Sequence, residues 1–109
     1  MVESLAQKKI EEMVRRIVEH FHPDQVILFG SYARGKAGPD SDVDLLVVMP
    51  VTGSKRRTAV EIDLMLAGSG LPNDIIVMTP EEVARTKDIV GTIVYPAVRE
   101  GKVMYDRAA

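Results

Sequence analysis

Two apolar runs joined by a short polar connection constrain the fold of this chain more than any other feature of its sequence. The first run covers residues 26–29 and the second covers residues 45–48. Runs of this length, rich in Val, Ile and Leu, are typical of buried β-strands. Gly30-Ser31 directly follows the first run, and Asp42-Val43-Asp44 leads into the second. A turn and two acidic side chains are thus held between two strands, and packing alone does not explain that arrangement.

The bulk composition is that of an ordinary globular protein. Of 109 residues, 46% are hydrophobic and 28% charged, so we expect one folded domain over residues 1–109. The net charge of −2 gives no overall attraction to nucleic acid. Cysteine is absent from the sequence, which excludes disulfides and thiolate metal sites. Residues 1–12 lack the apolar core of a signal peptide and no apolar run could span a membrane, which predicts a cytoplasmic protein without a membrane partner.

Periodicity and capping signals predict the element order α-β-β-α-β-α-α-β. Ser4 and Gln7 have the spacing that caps a first helix, and Thr79 to Glu82 has the spacing that caps a third. The predicted helices cover about 4–21, a segment capped by Ser54 and running to Gly68, a segment beginning at Thr79-Pro80, and about 89–100, which Pro96 kinks or delays. The predicted strands cover about 25–29, 43–49 and 74–78, with a short edge strand at 103–105.

The connections between these elements predict an α/β fold with a small mixed sheet. Gly30 ends the first strand and Asp42 precedes the second, so the two meet only if these strands run antiparallel. The helical crossover after the second strand favours a third strand parallel to it. That arrangement brings the start of the third strand, with Asp74, beside Asp42 and Asp44.

Three carboxylates at one sheet edge suggest metal-assisted chemistry. Residues i and i+2 of a strand point to the same face, about 7 Å apart at the backbone, so Asp42 and Asp44 repel each other unless a cation lies between them. Mg²⁺ typically binds through one or two carboxylates and substrate phosphates. With Asp74 as a further ligand, two ions about 3.5–4 Å apart could be held, as in-line phosphoryl displacement requires.

The turn after the first strand has the features of a phosphate site. Exposed backbone N–H groups at Gly30 and Ser31 could cradle phosphate oxygens. The cations of Arg34 and Lys36 add positive charge nearby. The turn and the carboxylates together predict binding of a nucleoside triphosphate.

Three other interpretations compete for these residues. A lone Asp-x-Asp at a strand start is usually a turn or cap. Asp40, Asp42 and Asp44 also imitate a calcium-binding EF-hand loop, but Leu45 and Val51 stand where that loop needs Gly and Glu. Residues 30–36 nearly spell a phosphate-binding P-loop. However, Ala37 replaces its Ser/Thr, and no room remains for the helix that must follow.

The motif Gly-Ser-Tyr-Ala-Arg-Gly (30–35) followed by Ser-Asp-Val-Asp-Leu (41–45) resembles the signature of the DNA polymerase β-like nucleotidyltransferase superfamily. Within it, the chain resembles the minimal nucleotidyltransferase (MNT) family, the antitoxin partners of HEPN-domain proteins. The resemblance continues through residues 71–77 and the Thr-Pro-Glu-Glu helix start to the Arg-Glu-Gly at 99–101. It therefore covers nearly the whole chain.

The resemblance implies a role for each matching residue. Gly30 and Ser31 would hold the triphosphate of ATP, Asp42 and Asp44 would bind Mg²⁺, and Asp74 would complete the metal site and help activate the attacking hydroxyl. Family members of this size transfer AMP to a tyrosine of the partner toxin, so a hetero-oligomer with a HEPN-domain protein is expected. The extra domain with which larger relatives grip base and acceptor is missing, which leaves base selectivity open.

A second interpretation belongs to a different functional class. The chain could be a non-catalytic antitoxin that neutralises its partner by stoichiometric contact. The three acidic residues favour the enzyme, because a pure binding module has no reason to keep mutually repelling carboxylates at one edge.

Overall fold

The computed structural model describes residues 4–38 and 40–109. The expectation about the start of the chain lies partly outside the described residues, because residues 1–3 are not among them. The helices are α1 (Leu5–Phe21), α2 (Lys55–Met65), α3 (Pro80–Thr86) and α4 (Val94–Glu100), and the strands are β1 (Gln25–Phe29), β2 (Val43–Val48), β3 (Asn73–Met78) and β4 (Lys102–Asp106). Of the helices in the described ranges, none is long and apolar enough to cross a membrane.

The strands form one mixed sheet in the order β3-β2-β1-β4. Strand β1 runs antiparallel to β2 and to β4, and β3 runs parallel to β2. The predicted α/β fold is therefore confirmed, including the directions of the first three strands. The short edge strand predicted at 103–105 exists and pairs with β1, with an irregularity in the pairing between Val26 and Ile27.

Helices cover both faces of the sheet. Alternate residues of the strands point to opposite faces, so Val26 and Leu28 pack with α1 and α2, whereas Ile27 packs against Ala97 of α4. This explains why the sequence of β1 is apolar throughout, as expected for a strand buried on both faces.

Helix α1 forms as its sequence pattern predicts. The Gln7 amide donates to the Ser4 hydroxyl at 3.0 Å, which caps the first turn. The side chains that face the core recur at helical spacing, and they are Ile10, Met13, Val14 and Ile17. The helix ends at Phe21, and His22, in the left-handed conformation with φ of 50°, caps it immediately before Pro23. The Arg16 guanidinium donates to the Met65 carbonyl at 2.7 Å and ties α1 to the end of α2.

Two helix boundaries differ from the prediction. Helix α2 ends at Met65 rather than Gly68, because the chain turns at Leu66 and Gly68 adopts a positive φ of 84°. Helix α4 begins at Val94 rather than 89, which places Pro96 in its first turn. A proline in the first turn costs little because the amides there lack helical partners, whereas the interior of a longer helix would exclude it. Pro96 therefore delays the helix.

Candidate active site

The end of β1 and the starts of β2 and β3 meet at one end of the sheet. In the strand register, Asp44 of β2 lies between Phe29 of β1 and Asp74 of β3. Asp42 stands just before β2 and is exposed, as is Asp74. The structure therefore brings the three acidic residues together as the topology predicted, and their functional roles remain predictions.

The negative charges of Asp74 and Asp42 act on the Asp44 carboxylate. Partial burial raises the pKa of Asp44, and the negative charges of Asp74 and Asp42 raise it further. The guanidinium of Arg34 opposes this increase in the Asp44 pKa by lowering it. Asp44 thus lies in a local excess of negative charge that a bound cation would relieve.

Gly30 makes room for the Asp44 carboxylate. Its φ of 78° is a backbone conformation that residues with a side chain rarely adopt. A Cβ built at Gly30 would overlap Oδ2 of Asp44 and lie 3.1 Å from the Asp44 Cγ. The sequence predicted close approach of a phosphate at this glycine, whereas the structure shows close approach of a carboxylate. The two uses are compatible, because both need bare backbone beside Asp44.

Residues 31–35 form a compact turn that follows Gly30. The Arg34 amide donates to the Gly30 carbonyl at 3.2 Å, and the Lys36 amide donates to the Ser31 carbonyl at 2.9 Å. Tyr32 packs against the core and anchors the turn. Amides that open a turn of this kind have no acceptor within it, which makes them available to an anion.

The two predicted cations differ in their relation to the carboxylates. The charge of Arg34 acts on Asp44, so this side chain belongs to the cluster. Lys36 is exposed, and within residues 4–38 and 40–109 it forms no ion pair. The role of Lys36 in nucleotide binding therefore stays a prediction.

The residues present fit a divalent cation that is bound together with a substrate. Asp42 and Asp44 offer hard oxygen ligands. Burial first, and then repulsion from Asp74 and Asp42, raise the pKa of Asp44, and Mg²⁺ would neutralise that repulsion. In the described part of the chain, no three acidic, His or Cys side chains are arranged as a ready-made metal cage. This suits Mg²⁺, which is commonly held by few protein ligands and completed by phosphates and water.

Asn73 is a feature of this region that sequence reasoning missed. It opens β3 beside Asp74, and its Oδ1 atom is buried without a hydrogen-bond partner in the described residues. The sequence signal that could have identified Asn73 is its position as a polar residue at the start of an apolar strand. Its unpaired state, however, depends on how α2 packs over β3, which no local pattern reveals.

Comparison with known proteins identifies the family. A family described as Nucleotidyltransferase domain matches residues 8–96. The chain is 30% identical over 114 residues to the putative protein adenylyltransferase MJ1305 of Methanocaldococcus jannaschii, covering 98% of this chain and 76% of that protein.

Solved structures share the fold. A putative nucleotidyltransferase from Sulfolobus solfataricus superimposes with a TM-score of 0.64 at 23% identity, over 93% of this chain and 80% of that one. A toxin–antitoxin structure with AMP-PNP gives a TM-score of 0.63 at 19% identity, over 88% and 73% of the respective chains. Because the family match spans most of the sequence and agrees with the motifs and the fold, this chain belongs to the nucleotidyltransferase domain family of enzymes.

Proposed function

We propose that this chain transfers a nucleoside monophosphate, AMP from ATP, to a hydroxyl side chain of a partner protein in a Mg²⁺-dependent reaction. The observation that carries the proposal is the position of Asp44, which pairs with Asp74 in the strand register, follows Asp42 by two residues and lies against the bare backbone of Gly30. A fold without catalytic use for these groups would gain stability by replacing one of the carboxylates.

One group of residues would bind the nucleotide and its metal ion, and Asp74 would act on the acceptor. Asp42 and Asp44 would hold Mg²⁺, which when bound neutralises charge on the triphosphate and aligns it for in-line displacement. The turn at Gly30 and Ser31 would bind phosphate oxygens through its amides, and Arg34 would add positive charge. Lys36, which is exposed and close in sequence to the turn, would add positive charge for the phosphates in the same way.

Asp74 would act on the acceptor. Its carboxylate accepts the proton as the acceptor oxygen forms a bond to the α-phosphorus. The bond from that phosphorus to the bridging oxygen breaks, and pyrophosphate leaves with the electron pair. The products are the nucleotidylated acceptor and pyrophosphate, and no oxidant or further reactant is needed.

The acceptor is proposed to be a tyrosine of a HEPN-domain toxin, which makes the chain an antitoxin. The motifs at residues 30–35 and 41–45 support this through their resemblance to MNT antitoxins. The name of the M. jannaschii relative, a putative protein adenylyltransferase, supports a protein acceptor. This end of the sheet also suits a protein surface better than a small molecule, because Asp42 and Asp74 are exposed there.

Intact-mass spectrometry of the partner tests this function. A HEPN-domain partner in large molar excess, with ATP and Mg²⁺, should gain the mass of AMP with wild-type protein and none with Asp42→Asn. Catalysis turns over, so substoichiometric enzyme should modify most of the partner. Neutralisation that requires equimolar protein, persists in Asp42→Asn and leaves the mass unchanged would instead establish the non-catalytic antitoxin.

A further inference from the structure

A groove runs along the outer edge of β3, next to the acidic cluster but outside it. Its volume is about 230 Å³. Strand β3 is at the edge of the sheet, so one side of the groove is open. The groove is lined by Arg56, Ala59, Val60, Asp63, Asn73, Asp74 and Ile75. Asp74 is thus shared between this groove and the candidate active site.

The helical wall of the groove has an apolar middle and oppositely charged ends. Arg56, Val60 and Asp63 recur at helical spacing and share one side of α2, whereas Ile62 points into the core. Val60 is 50% exposed although it is apolar. Arg56 and Asp63 lie about 10 Å apart along the helix axis. This surface would suit a segment with an apolar centre and complementary charge.

Arg56 differs from its two neighbours in having no carboxylate partner among the described residues. Lys55 pairs with Glu82, and Arg57 lies 3.9 Å from Glu61. Arg56 instead lines the groove. Its guanidinium is therefore available to a carboxylate from outside the chain.

Asn73 lines the groove, and its Oδ1 atom is buried without a hydrogen-bond partner in the described residues. Buried acceptors without a partner are uncommon, because the atom has lost its water and gained nothing in exchange. A donor on a segment lying in the groove would reach this oxygen once the Asn73 amide rotates toward the groove. Asn73 thus adds to the groove a side-chain amide oxygen that has no hydrogen-bond partner in the described residues.

Resting on the function proposed above, we propose that this groove binds the stretch of the partner protein that carries the acceptor hydroxyl. Residues 66–72 join the end of α2 to the start of β3, so Asp63 lies at the Asp74 end and Arg56 lies farther away. Asn73 and Asp74 are neighbours on β3, so their side chains point to opposite faces of the sheet. Because β3 is an edge strand, a hydroxyl side chain of the bound segment can pass around it and reach the Asp74 carboxylate.

The distance between the two ends of the groove defines the partner segment. About 10 Å corresponds to three residues of extended chain. Arg56 therefore selects an acidic side chain about three residues from the acceptor hydroxyl. Asp63 contacts a donor near that hydroxyl, and Val60 packs against the residues between them.

The test compares Arg56→Glu with Arg57→Glu, a matched charge reversal one residue away that does not line the groove. With a HEPN-domain partner, Arg56→Glu should raise the KM for the partner by about tenfold or more while Mg-ATP affinity, measured by calorimetry, is unchanged. Arg57→Glu should change neither quantity. Asn73→Ala should also raise the KM for the partner, without the loss of thermal stability expected for a structural residue.

Charge exchange provides a rescue experiment. After the modified hydroxyl is mapped by mass spectrometry, an acidic residue about three positions from it is replaced by lysine. Activity of Arg56→Glu on this partner variant should recover relative to the original partner. Equal activity of Arg56→Glu and Arg57→Glu on the original partner would overturn the groove assignment alone. A wild-type protein that leaves the partner unmodified would overturn the proposed function, and the groove assignment with it.

Discussion

Asp44 occupies a position that costs the fold stability. Burial and two neighbouring carboxylates raise its pKa, so ionisation is harder in the folded chain than in the unfolded chain. Proteins tolerate such strained electrostatics mainly where function requires it. The raised pKa of Asp44 is therefore the clearest single-residue evidence for the candidate site.

Replacing Asp44 with Asn should stabilise the metal-free protein. A raised folded-state pKa means that the folded chain binds more protons than the unfolded one between the two pKa values, so stability falls as pH rises through the folded-state pKa. In EDTA at about pH 7, Asp44→Asn should raise Tm by a few degrees, and the difference from wild type should shrink at acidic pH. Thermal unfolding at both pH values tests this, and a lower Tm for the variant at neutral pH would contradict it.

Gly30 and Gly35 offer a matched pair for measuring the contact with Asp44. Both have positive φ, 78° and 70°, but a Cβ at Gly30 meets Asp44 whereas a Cβ at Gly35 has nothing within 4 Å. Alanine should cost about 1–2 kcal/mol at either position for the backbone. Gly30→Ala should cost about 1–3 kcal/mol more because of overpacking.

Urea denaturation of the two alanine variants gives the comparison. Part of the additional cost of Gly30→Ala should disappear in an Asp44→Ala background, because the overlapping carboxylate is gone. Equal destabilisation by the two alanines would mean that the carboxylate does not lie against Gly30.

At the scale of elements, Thr79 and Glu82 cap the start of α3, and an ion pair links this cap to α2. The Glu82 amide donates to the Thr79 hydroxyl at 3.2 Å, and the Thr79 amide donates to the Glu82 carboxylate at 3.0 Å. Lys55 of α2 also pairs with Glu82. The hydrogen bond from Lys55, followed by that from the Thr79 backbone, lowers the pKa of Glu82 to about 2.

This cap should make the fold sensitive to acid. A lowered folded-state pKa contributes stability above the unfolded value of 4.5, and that stability is lost as pH falls toward about 2. Between these pH values, Tm should fall more steeply in wild type than in Glu82→Gln. Glu81→Gln, in the same turn and exposed, serves as control and should keep the wild-type slope. Parallel slopes for all three proteins would refute the linkage.

Elements defined by local signals were predictable, whereas the start of α4 and the partner of β4 were not. Helix α1 followed from the Ser4 cap and the spacing of its apolar residues. The start of α4 was wrong by several residues, because apolar periodicity extends upstream of the point where Pro96 permits a helix. The pairing of β4 with β1 joins residues far apart in sequence, and the pattern at 103–105 could not identify that partner.

At the scale of the whole molecule, the candidate site is assembled by topology. Antiparallel pairing of β1 with β2 and parallel pairing of β2 with β3 place Gly30, Asp44 and Asp74 at one end of the sheet. The sequence was sufficient to predict this, because the short connection and the helical crossover leave few alternatives. The groove between Arg56 and Asn73 could not be foreseen, since it exists only once α2 has packed over β3.

Calorimetry of Mg-ATP binding tests the central claim most directly. The wild-type chain should bind ATP in the presence of Mg²⁺ and lose that binding in EDTA. The double substitution of Asp42 and Asp44 by Asn should abolish Mg²⁺-dependent binding while the protein remains folded. Asp40→Asn, an exposed acidic residue two positions before Asp42, should bind as wild type does. Unchanged Mg²⁺-dependent binding in the double variant would contradict the assignment of the acidic cluster as the nucleotide site.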